Sequence, residues 1–207
     1  MQSVQWPDDR QTLQRWLKDN GGLGTSEPTK AWKEWWTLNQ ALRFCLALQF
    51  LGSEFVAMHQ DKTGHSADFR MHHTDKPDLL LEVTEATTRE DRREIALSRT
   101  RADVQFLGAC GGRFKAGVES DAYERAFAAD GAAAISRKSR NRYGGRAGLL
   151  VYPNSNAVFA ETRRLTDYLQ PLPQKSALDF VLIVRSSCLI AVTRETPTYE
   201  SLTQKSP

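Results

Sequence analysis

Two acidic residues, Asp68 and Glu82, stand seven positions either side of Asp75 in the stretch SADFRMHHTDKPDLLLEVTEATT, residues 66–88. The stretch reads as two short strands joined by the polar turn HHTDKP. In a hairpin centred near Asp75 the two acids become cross-strand partners on one face, with Cβ atoms roughly 5 Å apart. Like charges facing across a ladder destabilise it, so the pairing points to a shared cation. Hard ions such as Mg2+ (or Mn2+) take carboxylate oxygens and complete their shell with water and phosphate. The chemistry available there is activation of water and offsetting of charge on a phosphate. Asp78 lies on the strand of Glu82, four residues earlier and about 13 Å away, too far to share one ion with it. Glu54 opens the preceding strand; a solvated strand end is its first reading, a further ligand its second. Glu85 should point to the face opposite Thr84, as a solvated or helix-capping acid.

The elements that hold this hairpin follow from pattern and punctuation. DDRQTLQRWLKDN (8–20) reads as a short helix ended by Gly21 and Gly22. A longer helix spans about Pro28 to Leu51, with Trp32, Trp35, Trp36, Leu38, Leu42, Leu46 and Phe50 covering more than one stripe, hence burial on two sides. The tryptophans are expected to lock the N-terminal helix onto the domain, with binding of a base or a lipid as the alternative. EFVAMH (54–59) reads as a strand, and the apolar run Leu79–Val83 as a central one. Charged residues from Arg89 to about Leu107 read as a helix, as do Ser120–Arg142 and Thr162–Leu169. GLLVYP is a second buried strand; DFVLIVRS and CLIAVT form a terminal hairpin, and TPTYESLTQKSP a polar, frayed tail. The order predicts an α/β fold: a mixed central sheet flanked by helices, antiparallel at its start and joined to a parallel strand by a helical crossover. The expected organisation is an N-terminal helical extension (1–30), an α/β domain (31–195) and the tail (196–207).

A helix followed by GSEFVAMH, SADFRM and LLLEVTEA resembles the core of the PD-(D/E)XK nuclease-like superfamily over residues 38–152. The resemblance implies a restriction-endonuclease-like αβββαβ core and metal-dependent cleavage of DNA or RNA. Asp68 matches the family's Asp, Glu82 its acidic position, and Thr84 the position normally held by Lys. With Asp68 and Glu82 as metal ligands, the backbone carbonyl of Val83 would complete the shell. Lys138, in ISRKSRNRY on the helix beside the third strand, is the candidate replacement for the motif Lys, with water held by Thr84 the alternative. The family's first-helix Glu is expected to be absent, because the corresponding turn reads Asn39, Gln40 and Arg43 and Glu34 lies upstream. Arg137, Arg140, Arg142 and Tyr143 are candidates for contact with nucleic acid. The bland reading of their segment is a helix C-terminus whose cations complement the dipole. Set against the nuclease stands a nuclease-like domain without catalysis, acting as a nucleic-acid or protein binding module, which the missing Lys and Glu favour. An unrelated α/β domain with a coincidental acidic pair is the third reading.

Composition bounds the rest. The 207 residues, 40% hydrophobic and 26% charged, suit one well-buried soluble domain. A net charge of +3 permits a polyanionic partner without demanding one; a homodimer or another protein partner stays open. No apolar run approaches transmembrane length, and the N-terminus lacks signal-peptide character. Cys45, Cys110 and Cys188 are scattered and odd in number, which points to a reduced, cytoplasmic setting. His59, His65, His72 and His73 have no standard zinc spacing and are read as solvated or DNA-contacting. GACGGRF and GGLGTSEPTK lack the Gly-Lys-Ser/Thr of a phosphate loop. The basic helix of Arg89, Arg92, Arg93, Arg99 and Arg101 is interleaved with acids, a solvated ion-pair face as readily as a phosphate track.

Overall fold

The computed structural model describes residues 30–60, 67–86, 122–141, 143–153, 162–185 and 188–202. The helices expected over 8–20 and 89–107, together with His65, Cys110 and Arg142, lie outside the described residues. The chain begins with helices α1 (Lys30–Ala41) and α2 (Cys45–Leu51), followed by strands β1 (Val56–His59), β2 (Phe69–His72) and β3 (Leu79–Ala86). Helix α3 (Ala122–Lys138), strand β4 (Arg146–Pro153) and helix α4 (Thr162–Tyr168) come next, then β5 (Phe180–Val184), β6 (Cys188–Val192) and β7 (Thr198–Ser201).

The seven strands form one sheet whose spatial order is their sequence order. β1 to β3 are an antiparallel meander, β4 lies parallel to both β3 and β5, and β6 and β7 return antiparallel. This is the expected mixed α/β sheet. Both its faces are covered. Trp35, Leu38 and Leu42 pack with Phe69, Met71, Leu81 and Val83 on one face; Ile135 and Leu165 pack with Leu149, Val151 and Ile183 on the other. β3 is accordingly apolar at most positions and β5 at all of them. β4 crosses β5 closely: a Cβ on Gly148 would lie 2.3 Å from the ring of its register partner Phe180, so only glycine fits.

Two expectations are corrected. The single helix from Pro28 to Leu51 is broken, with Phe44 extended at φ −102°, ψ 134° between α1 and α2. The break is stabilised from far along the chain: the Glu200 carboxylate accepts the backbone N–H groups of Cys45 (3.2 Å) and Leu46 (2.6 Å), where the first amides of a helix lack internal partners. The second correction concerns the tail, where Thr198–Ser201 is not frayed but pairs with β6 as the edge strand β7. Trp35 is fully buried edge-on to Phe69 at 4.7 Å; the N-terminal helix that the tryptophans are expected to lock lies outside the described residues. No helix among the described residues is long and apolar enough to cross a membrane.

Candidate functional site

The hairpin has the register its turn implies. Phe69 pairs with Leu81, Arg70 with Leu80 and Met71 with Leu79, so one further step sets Asp68 opposite Glu82. Asp68 precedes β2, and its side chain departs from the simple cross-strand picture. Its Oδ2 accepts the N–H of Val83 at 2.8 Å. Its Oδ1 faces the Lys30 ammonium at 3.9 Å. Val83 therefore meets Asp68 through its amide.

The neighbour of Asp68 on the α1 side is Glu34, the acid read as too far upstream. That expectation is corrected too. Glu34 Oε1 lies 3.3 Å from Lys30 Nζ, one turn earlier on α1, and Glu34 Oε2 accepts from His59 Nε2 at 2.7 Å. Glu34 is 4% exposed and Asp68 0%. Burial pushes the Glu34 carboxyl up. The hydrogen bonds with His59 and Asp68 and the charge of Lys30 outweigh that effect and hold it below the ordinary Glu range. The counting failed because it assumed a continuous helix; the break after Ala41 lets α1 lie across β3, β4 and β5 with the Glu34 turn beside Asp68. A signal was present. Glu34 continues the buried stripe of Leu38, Ala41 and Leu42, and an acid on an apolar stripe needs a partner.

On the opposite face Glu82, 3% exposed, meets the last turn of α3 and the residues after it. Lys138 Nζ pairs with its Oε1, the Tyr143 hydroxyl donates to its Oε2, and Asn141 Nδ2 lies 3.4 Å from the same oxygen. Burial, and then the hydrogen bond to Glu82, push the Tyr143 phenol well above its usual value, so it stays protonated and donating. Thr84, 9% exposed, accepts from Arg137 at 3.4 Å.

Other sequence candidates fall elsewhere. Tyr143, expected on nucleic acid, is half-buried against Glu82. Arg140 lines a cavity of about 390 Å³ between α3 and the segment after α4, with Ile135, Ser139, Leu172 and Lys175; the three carboxylates are not in its wall. Asp78 is held by His72 (2.8 Å) and Arg70 (2.7 Å), and these contacts keep its pKa low. Glu85, read as a solvated or helix-capping acid, is half-buried and accepts from the Tyr152 hydroxyl at 3.2 Å. Glu54 offers its backbone carbonyl to His73 Nδ1 at 3.1 Å. The solvated reading of the histidines is corrected for two of them: His59 is tied to Glu34, and His73 is 7% exposed.

The donor set suits a hard divalent cation. It consists of carboxylate oxygens, and Glu34 Oε1 and Asp68 Oδ1 already converge on one ammonium. Mg2+ needs only one or two protein carboxylates, with water and phosphate supplying the rest. Among the described residues no three His, Cys, Asp or Glu side chains form a ready metal shell. No protein-family profile, no curated protein and no solved structure matches this chain.

Proposed function

We propose that the protein is a metal-dependent nuclease that hydrolyses phosphodiester bonds of DNA or RNA on a restriction-endonuclease-like core. The observation that carries this reading is the burial of Asp68 and Glu34, whose Oδ1 and Oε1 converge on the Lys30 ammonium, together with the burial of Glu82 at the β3 position that the register sets opposite Asp68. Burying a carboxylate is costly unless it is compensated, and a divalent cation would compensate the two acids, Glu34 and Asp68, that converge on one ammonium. The element order from α1 to β4 agrees with the αβββαβ pattern. Asp68 and Glu82, with Glu34 from the helix, would hold Mg2+ or Mn2+, whose chemistry there is to activate water and offset charge on the scissile phosphate.

The chain's own groups do the remaining work. Lys138 brings an ammonium to the acid of β3, next to the position that Thr84 leaves without one. Arg137, held at Thr84, presents a guanidinium that suits bidentate contact with phosphate. Tyr143 orients Glu82 as a donor. Glu82 Oε1 accepts from Lys138, and Oε2 accepts from Tyr143 and Asn141.

A second reading, a nuclease-like domain that binds nucleic acid or protein without cutting, draws on the same cluster. Lys138, Asn141 and Tyr143 together neutralise and satisfy Glu82 internally. Incubation with plasmid, single-stranded DNA and RNA separates the two. Cutting should require Mg2+ or Mn2+, stop with EDTA, and disappear in Asp68→Ala and Glu82→Ala. Activity that survives both substitutions rules this site out as its source. Thermal stabilisation by Mn2+ without cleavage selects the binding module.

A further inference from the structure

We infer that His59 is a positioning residue: its Nε2–H holds the Glu34 carboxylate so that Oε1, the oxygen that shares the Lys30 ammonium with Asp68, is presented to a divalent cation. The inference rests on the metal-dependent reading above and adds a residue that no part of the sequence resemblance supplies. Its basis is geometric. His59 ends the edge strand β1, opposite Phe69 in the β1–β2 register. Its ring is fixed on two sides, stacked on Trp35 at 6.2 Å and 28° and edge-on to Phe69 at 5.1 Å and 76°. Trp35 is the chain neighbour of Glu34, so one packing unit sets both the helix position of the acid and the ring that grips it. The bond from Nε2 to Glu34 Oε2 is 2.7 Å, and the His59 side chain is 16% exposed.

A carboxylate hydrogen-bonded through one oxygen loses its freedom to rotate, and its other oxygen then points in one direction. That oxygen is 3.3 Å from the Lys30 ammonium, which Asp68 Oδ1 also faces at 3.9 Å. Partners of this kind orient ligating groups, and their loss typically weakens metal affinity about 10- to 100-fold. β1 thereby has a purpose beyond closing the sheet: it carries the donor that aims an acid of α1.

Two substitutions separate the hydrogen bond from the packing. His59→Phe keeps a ring between Trp35 and Phe69 but removes the donor; His59→Gln keeps a donor and loses the ring. Mn2+ affinity, read by the electron paramagnetic resonance of free Mn2+, should fall about 10- to 100-fold in His59→Phe and return most of the way in His59→Gln. In a Glu34→Gln background His59→Phe should have no further effect on Mn2+ affinity. A folded His59→Phe protein with wild-type affinity overturns the inference and leaves the metal site standing, as does a His59→Gln protein as weak as His59→Phe. If the wild type itself binds no Mn2+, the metal-dependent reading fails and the inference with it. Should His59→Phe not fold, the wild-type imidazole ¹⁵N spectrum decides: a proton on Nε2 in the metal-free and Mg2+-loaded protein supports the role, and a ring protonated on Nδ1 alone overturns it.

Discussion

The two flanks of Asp68 are built on different principles. On the α1 side, Glu34, His59 and Lys30 come from a helix and an edge strand, held by the packing of Trp35 and Phe69. On the α3 side, Glu82 is enclosed by Lys138, Asn141 and Tyr143, all from one turn and its exit. Their cations differ most. The Lys30 side chain is 71% exposed and the Lys138 side chain 20%. An exposed ammonium returns to water at little cost, whereas a buried one leaves a buried carboxylate behind. The resident cation of the α1 flank is therefore the displaceable one, and that of the α3 flank is fixed.

Lys138→Met should have the largest effect on stability. Removing one partner of a fully buried pair costs about 3–5 kcal/mol; with the remaining exposure of Lys138, a loss of about 2–3 kcal/mol is expected from urea denaturation. Lys30→Met should change stability by less than about 1 kcal/mol. It should also raise Mn2+ affinity about fivefold, since a unit charge 4 Å away contributes about 1 kcal/mol in water. Equal losses of stability from the two substitutions, or weaker Mn2+ binding in Lys30→Met, would break the distinction between a displaceable and a fixed cation.

The smallest effect is on pH dependence. Because the Glu34 carboxyl is held below its ordinary 4.5 in the folded protein, its contribution to stability is complete above that pH. It is lost as the pH falls through the lower folded value. Thermal melts between about pH 5 and about pH 3 should fall more steeply for the wild type than for Glu34→Gln. Parallel curves would show that the α1 flank carries no such linkage.

Much of the site was legible before any coordinates. The symmetric spacing about Asp75 set the β2–β3 register, because strand pairing through a tight turn leaves few alternatives. The apolar run of Leu79–Val83 marked β3 as an interior strand, and ISRKSRNRY placed Lys138 and Tyr143 beside it. Those inferences are local, or span one hairpin or one crossover. On the α1 flank the apolar stripe marked Glu34 as buried, but its position beside Asp68 was not legible, because it depends on a helix break that nothing nearby signals. No Pro or Gly lies between Ala41 and Cys45; the cap at Cys45 and Leu46 is Glu200, supplied from the last strand.

By itself the sequence determined the β2–β3 register that sets Asp68 at the level of Glu82, through the period-two alternation of strands and the position of the turn. The tertiary structure alone decided that Glu34, Lys30 and His59 would gather at Asp68. A helix can be aimed only by what it packs against, and here that is a sheet completed by residues more than a hundred positions further along the chain.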